Sequence, residues 1–318
     1  MHPDPAPPTE FGVLIANWNG EAFIERCLGS VLAAARLLPG PVEVVVVDDA
    51  SADGSCRLIE RGFPAVRLLR LQHNVGFAEA VNIGMRGMNA RQVFLLNNDL
   101  ALRADFCQRL LETWSGHGHD RLFAVGARTL DWITQAPNHG GQRVAWRTGM
   151  LWQEPFESSG PAPTVFFQAG ACLVDRSKFL QLGGFADLYH PGYWEDYDLA
   201  WQAHRRGWDI LYEPRAIAYH CGKSSMDRRL GRWGVGLTTR RNHLLFIWSN
   251  LDDLGLIARH LVALGRVVFT RPGWIPGEAG WGRALLAALR RLPAVLRLRR
   301  ARKGLAKRSD RDRLKTTP

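Results

Sequence analysis

Residues 42–55 read VEVVVVDDASADGS. A run of β-branched residues without polar alternation is what a strand buried on both faces requires, and such strands belong to parallel sheets covered by helices. The run stops at an acidic pair followed by small turn residues. Upstream, Phe11–Ala16 (FGVLIA) reads as a second apolar strand ending at the polar turn NWNG. Between them, Glu21–Leu38 has helical spacing until Pro39-Gly40-Pro41 stops it. Downstream, the pattern predicts a helix over Cys56–Gly62, a strand over Val66–Leu71, a helix over Ala78–Met88 and a strand over Val93–Leu96 that ends at Asn97-Asn98-Asp99. Strand and helix alternating at this spacing predict a doubly wound, mostly parallel, Rossmann-like α/β sheet. Ligands of such sheets bind beyond the carboxyl ends of the strands. Asn17–Asn19, Asp48–Ser55 and Asn97–Asp99 lie at three such ends and are expected to converge.

Beyond residue 119 the pattern weakens. Residues 120–165 are rich in Gly, Trp and Pro and read as short strands with a long loop, a flap over the site. A strand is predicted over Val165–Val174, with helices over Arg176–Leu182 and Asp198–Arg206. Ile210–Glu213 and Ala216–His220 read as two strands, and Gly222–Gly236 as a flexible loop. From Thr239 onward the chain is expected to be helical and amphipathic.

Composition sets limits. The 318 residues are 46% hydrophobic and 22% charged, the balance of a globular chain rather than a disordered one. The net charge of +11 resides in the tail: 13 Lys or Arg and 2 Asp or Glu lie between Arg283 and Lys315, and the rest of the chain is neutral. A neutral body weighs against a nucleic-acid-binding protein that uses the basic tail, the main rival reading from another class. Five scattered cysteines without a CxxC pair suggest a reducing compartment. The first ten residues lack the pattern of a signal peptide, and no apolar run reaches the roughly 18 residues of a spanning helix. The expected location is the cytosol, or the cytosolic face of a membrane.

Four clusters carry chemistry. A carboxylate in residues 45–55 can accept a hydrogen bond from a pyrimidine or a ribose hydroxyl, but the same residues also make an ordinary Asx turn. Asp99 at a strand end can help hold a Mg²⁺ or Mn²⁺ that neutralises a departing diphosphate, or can belong to a plain Asn/Asp turn. Glu195, Asp196 and Asp198 fall at a helix start. There they either complement the helix dipole or supply a general base that deprotonates an acceptor hydroxyl. His220 at a strand end is either structural or a nitrogen ligand paired with Asp99. No Ser–His–Asp triad, P-loop or GxGxxG is present. NWNG is not the Gly-rich basic loop that a sugar nucleotidyltransferase would carry.

In that order, the clusters resemble glycosyltransferase family 2, the GT-A-type inverting enzymes, and its rhamnosyltransferase-like branch that builds bacterial surface polysaccharides. The resemblance runs from Phe11 to His220 through NWNG (17–20), VVVDDASADGS (45–55), HNVGFAEAVNIG (73–84), LLNND (95–99), GGFAD (183–187), WEDYDL (194–199) and His220. It implies that Asp48 contacts the nucleoside base, with Asn17, Asn19 and Ser51 in the same pocket. Asn74, Gly76, Phe77, Asn82, Asn97 and Asn98 fall near the nucleotide-diphosphate sugar. Asp99 and His220 match metal ligands for Mg²⁺ or Mn²⁺. Asp196 matches the catalytic base, Glu195 supports it, and Gly170 and Trp194 shape the site of a saccharide or lipid-linked saccharide acceptor. Asn97 stands where the family's DxD motif has its first Asp, which removes one negative charge from the metal site. The implied donor is dTDP-rhamnose, and next a UDP-hexose.

The implied organisation is a disordered N-terminus at 1–10, a GT-A catalytic domain at 11–238 with a nucleotide-sugar half (11–118) and an acceptor half (119–238), and a helical basic extension at 239–318. Apolar spacing, Trp248, Trp274 and Trp281, and the charge of residues 283–315 fit an anionic membrane surface. An oligomer interface, a solvated tail and nucleic-acid binding are the other uses of such a segment.

Overall fold

The computed structural model describes residues 9–118, 120–221, 225–270, 280–305, 309–310 and 314. Most of the expected disordered N-terminus, the start of the expected loop at 222–236, Trp274 and much of the end of the basic tail lie outside the described residues.

The amino-terminal half alternates as its sequence predicts. The elements are β1 (Phe11–Asn17), α1 (Ile24–Ala35), β2 (Val42–Asp48), α2 (Ser55–Gly62), β3 (Arg67–Arg70), α3 (Phe77–Gly87) and β4 (Gln92–Asn97). β1 pairs in parallel with both β2 and β4, and β2 with β3. The valines of β2 from Val44 to Val47 are buried, as strands covered by helices on both faces must be.

The second half adds β5 (Leu100–Leu102), α4 (Phe106–Ser115), β6 (Leu122–Asp131), β7 (Pro137–His139), β8 (Gly141–Arg147), β9 (Met150–Phe156), β10 (Ala162–Pro163), β11 (Ala171–Asp175), α5 (Arg176–Gln181), α6 (Glu195–Arg205) and β12 (Asp209–His220). The main sheet runs β10-β12-β6-β11-β4-β1-β2-β3, with β5 on β12 and β7 on β6. β11 is antiparallel to β4 and β6, while β6 and β12 are parallel. The result is a mostly parallel GT-A-type α/β sheet.

Three expectations need correction. Residues 122–131, in the segment expected to hold short strands and a long loop, form one long strand inside the sheet. LFAVGARTLD hides this because Gly126 and Thr129 interrupt the apolar run at positions that face other parts of the protein. The strand expected over Val165–Val174 spans Ala171–Asp175 only. Residues 165–170 instead pass under the cavity, where the Asn97 amide donates to the Gly170 carbonyl at 2.9 Å. The two strands at 210–220 are one strand whose register shifts between Glu213 and Ile217, around Pro214.

The carboxyl-terminal helices are α7 (Ser225–Asn250), α8 (Leu254–Thr270), α9 (Trp281–Leu289) and α10 (Leu292–Arg302). α7 begins inside the segment expected to be a loop and bends at Gly231, whose φ of 65° is non-helical. The glycines at 231, 234 and 236 lower helix propensity enough to make that segment read as coil. The helices share a core with the sheet: Leu244, Phe246, Leu264, Ala288 and Val295 pack in one cluster with Leu95, Phe166 and Trp201. No described helix is long and apolar enough to cross a membrane.

Candidate active site

A cavity of about 740 Å³ opens at the carboxyl ends of β1, β4 and β12. Beneath it lies a hydrogen-bonded cluster set up by β1 and β2, of which Asn17 and Asn98 reach the cavity. Asn17 donates through Nδ2 to Asp48 Oδ1 at 2.8 Å and to Ser55 Oγ at 3.0 Å, and accepts through Oδ1 from Asn98 Nδ2 at 2.8 Å. Ser51 Oγ donates to Asp48 at 2.6 Å, and the Asn19 amide donates to Ser51 Oγ at 2.9 Å. Asp48, Ser51 and Asn19 therefore hold the strand-end loop together and do not line the cavity. The lining acid of the pair is Asp49. Its carboxylate accepts from Asn74 Nδ2 and the backbone amides of Val75 and Gly76 at 2.6–2.9 Å, which fixes the turn into α3.

Asn74, Gly76 and Phe77 reach the cavity from that turn. Gly76 has a φ of 87°, a left-handed value that favours glycine, and a Cβ there would meet His190 at about 3.1 Å. Asn82 does not reach it. Its side chain donates to the Phe185 carbonyl and accepts from the Phe185 amide, both at 2.9 Å, and so ties α3 to the GGF turn. Asn97, Asn98 and Gly170 complete the near wall.

Asp99 and His220 face the cavity from the strand ends, where the extended pairing of β5 and β12 sets His220 opposite Leu100. Asp99 Oδ2 lies 3.3 Å from His220 Nε2. Asp131 and His139 line the same corner, and burial, with His220 close by, lowers the proton affinity of His139. A carboxylate oxygen beside an imidazole nitrogen suits a divalent cation whose other positions are filled by phosphate oxygens and water. Among the described residues no cluster of three or more His, Cys, Asp or Glu could hold a metal alone. The donor set therefore fits an ion brought in with a ligand.

The start of α6 lines the same cavity. Tyr193 and Trp194 enter the helix with φ values of 70° and 80°, left-handed conformations that cost non-glycine residues energy and persist where the surroundings enforce them. The surroundings here are α7. Asn242 Nδ2 lies within 2.8–2.9 Å of the carbonyls of Tyr189, Gly192 and Tyr193, and Arg241 donates to the His190 carbonyl at 2.6 Å. The indole of Trp194 stacks on the imidazole of His243 at 4.4 Å and 14°. Burial, helped by nearby His260, pushes the His243 proton affinity down to about 3, so the ring is neutral at working pH.

This entry turns Glu195 and Asp196 into the cavity. Burial raises the proton affinity of both carboxyls well above their usual range, and Asp196 raises that of Glu195 further. Backbone amides, among them Tyr197 N–H to Asp196 Oδ1 at 2.9 Å, oppose the effect at Asp196, whereas Glu195 Oε2 has no partner among the described residues. The two environments separate the acids: Asp196 is the readily ionised member and Glu195 the proton-retaining one. Asp198 points away and binds Tyr189, Asn250 and Arg302. Sequence reading overlooked Asp49, Tyr193, Tyr197 and Gln168. Asp49, Tyr193 and Tyr197 stand beside Asp48, Trp194 and Asp196, and which neighbour faces the cavity depends on side-chain direction.

The model of the family "Glycosyl transferase family 2" matches residues 12–180. The chain belongs to glycosyltransferase family 2. It is 28% identical over 243 residues to N-acetylglucosaminyl-diphospho-decaprenol L-rhamnosyltransferase of Mycobacterium tuberculosis, an alignment covering 68% of this chain and 77% of that protein. It is 26% identical over 245 residues to poly-beta-1,6-N-acetyl-D-glucosamine synthase of Staphylococcus aureus, covering 70% of this chain but 53% of that one. Among solved structures, GalNAc-T7 with UDP, GalNAc and Mn²⁺ superposes with a TM-score of 0.68 at 15% identity, over 98% of this chain and 57% of the other. This glycosyltransferase thus shares the GT-A fold with that structure, and the nucleic-acid-binding reading is not favoured.

Proposed function

We propose that this glycosyltransferase moves a sugar from a nucleotide diphosphate, dTDP-rhamnose first and a UDP-hexose next, to a hydroxyl of a lipid-linked saccharide, with inversion at the anomeric carbon. The carrying observation is that Glu195, Asp196, Asp99 and His220 line one cavity. The volume suits a nucleotide sugar, since ligand pockets of this kind span roughly 300–1,000 Å³. The strand-end turns of β1 and β4, with Asn74 and Gly76, face the nucleotide side.

Asp196 takes the proton of the acceptor hydroxyl as its oxygen attacks the anomeric carbon. The bond to the diphosphate breaks on the opposite face, and no covalent intermediate with the protein forms. Glu195, protonated, donates a hydrogen bond in the acceptor pocket, and Trp194, buried against His243, Tyr197 and Phe246, holds the entry to α6 that shapes that pocket. Asp99 and His220 would hold Mg²⁺ or Mn²⁺. When bound, the ion neutralises charge that develops on the leaving diphosphate. The similarity to a rhamnosyltransferase whose name specifies a diphospho-decaprenol substrate supports the lipid-linked acceptor and the rhamnose donor. Such an acceptor places the enzyme at the cytosolic membrane face.

A panel of nucleotide sugars, scored by thermal stabilisation and by nucleoside-diphosphate release with and without Mn²⁺, tests the reading. Stabilisation by dTDP-rhamnose or a UDP-hexose is expected. No response to any member would refute it.

A further inference from the structure

The basic tail reaches the catalytic helix. Arg302 in α10 is only 10% exposed, and its partner Asp198 in α6 is 1% exposed. Arg302 donates through Nη1 to Asp198 Oδ1 at 2.8 Å and through Nη2 to Oδ2 at 2.6 Å, a two-pronged clamp that only a guanidinium can make. Asp198 Oδ1 also accepts from the Tyr189 hydroxyl at 2.9 Å and from Asn250 Nδ2 at 2.7 Å. The carboxylate is thus held by the loop before α6, the end of α7 and α10 together.

Its place on the helix gives this clamp a consequence. Asp198 follows Asp196 by two residues, so the two side chains project roughly 200° apart around the first turn. The side that faces the cavity carries the proposed base, and the opposite side carries the anchor. That turn begins from two left-handed residues, Tyr193 and Trp194, and no side chain caps it. It also gathers three acidic residues, Glu195, Asp196 and Asp198. A helix start that is strained and uncapped benefits from an external tie, and Arg302 supplies one through Asp198. Two further tail arginines brace the frame around it. Arg299 donates to the carbonyls of Trp248 and Leu251 at 2.9 and 2.7 Å, and Arg291 to that of Leu188 at 2.9 Å.

We infer that Arg302 is a positioning residue for glycosyl transfer: through Asp198 it fixes the first turn of α6 so that Asp196 presents its carboxylate to the cavity. The inference rests on the proposed role of Asp196. It makes the end of the chain part of the catalytic apparatus rather than an appendage.

The test uses the full chain with Arg302→Lys, Arg302→Gln and the double variant Asp198→Asn/Arg302→Gln. Readouts are kcat and donor KM from nucleoside-diphosphate release with dTDP-rhamnose or UDP-glucose, whichever the wild type turns over, and amide hydrogen exchange. In Arg302→Lys, kcat is expected to fall about tenfold or more while donor KM stays within about twofold, because a displaced base slows chemistry without touching the nucleotide. Amides at 195–199 should exchange faster, with β1 and β4 unchanged. Unchanged kcat or unchanged exchange in the folded lysine variant would overturn the inference. If Arg302→Gln does not fold, the double variant decides. Folded with low kcat, it supports positioning; folded with wild-type kcat, or unfolded, it assigns the pair to stability alone and sinks the inference. Asp196→Asn runs alongside: full turnover there refutes the base itself, whereas an inactive Asp196→Asn with a fully active Arg302→Lys refutes only the clamp.

Discussion

His220 Nε2 and Asp99 Oδ2 lie 3.3 Å apart, one from the last residue of β12 and the other from the turn between β4 and β5. Residues 121 positions apart in sequence meet there because β5 folds back onto β12, with Leu100 opposite His220. If this pair holds the divalent ion, Asp99→Asn and His220→Ala should each raise the Mn²⁺ concentration for half-maximal activity by about tenfold or more, in line with the loss of one of few protein ligands. Chelator treatment of the wild type should abolish turnover, and Mn²⁺ should restore it. Calorimetric Mn²⁺ titration in the presence of UDP gives a check independent of activity. Wild-type Mn²⁺ affinity in both variants would exclude the pair as ligands.

If Asp196 is the base, the Glu195–Asp196 pair sets the acid limb of the pH profile. The base works only when ionised, and burial raises its proton affinity, so kcat should climb with pH along a limb above the usual carboxylate range. Asp196→Asn should lower kcat by about 10³-fold or more, with donor binding retained. Glu195→Gln should lose far less, because an amide still donates a hydrogen bond.

The same shifts predict a stability effect of opposite sign to that of ordinary surface acids. A carboxyl whose proton affinity is raised on folding contributes stability below its unfolded pKa and loses it as pH rises through the folded value. Glu195→Gln removes that loss. The variant should therefore melt higher than wild type, and its advantage should widen from acidic to alkaline pH in thermal melts. A constant or shrinking advantage would contradict a buried, proton-retaining Glu195.

Gly170 admits no side chain. A Cβ there would lie 2.2–2.3 Å from the Cγ, Nδ2 and Oδ1 atoms of Asn97. Gly170→Ala must push Asn97 out of the cavity wall, with an overpacking cost of about 1–3 kcal/mol. The expected result is a melting temperature lower by a few degrees and weakened nucleotide-sugar binding by calorimetry. Unchanged affinity would show that Asn97 does not touch the donor.

The sheet was readable in the sequence where burial on both faces leaves an unmistakable mark, as in VEVVVV and VFLL, and three strand-end clusters did converge. Reading failed where a signal is shared between neighbours. Asp48 and Asp49 are equal on paper, but the last residue of β2 turns its carboxylate toward Asn17, and only the next one lines the cavity. β6 was hidden because Gly126 lies against Phe167 and Thr129 bonds Gln168, contacts that no local pattern announces. Asp198 looked like a dipole charge; its partner is 104 residues away.

Among the described residues, the tail arginines fall into two sets. Arg291, Arg299 and Arg302 bond inward. Arg290, Arg297 and Arg300 are exposed, among the exposed side chains of Leu286, Leu289, Leu292 and Leu296. α8 presents Leu254, Leu261, Val262 and Phe269 outward, and neither α8 nor residues 280–305 contain an acidic residue. An apolar, cationic surface of this kind suits an anionic bilayer. Truncating the tail would also remove the Arg302 clamp, so point variants are the cleaner test. Each basic residue near such a surface contributes about 1 kcal/mol, so the triple variant Arg290→Gln/Arg297→Gln/Arg300→Gln should bind phosphatidylglycerol vesicles about 100-fold more weakly in flotation. Its melting temperature should match that of the wild type, because none of the three side chains is an inward anchor. Equal flotation of variant and wild type, or wild-type binding to phosphatidylcholine vesicles as strong as to phosphatidylglycerol, would remove the membrane role from this face.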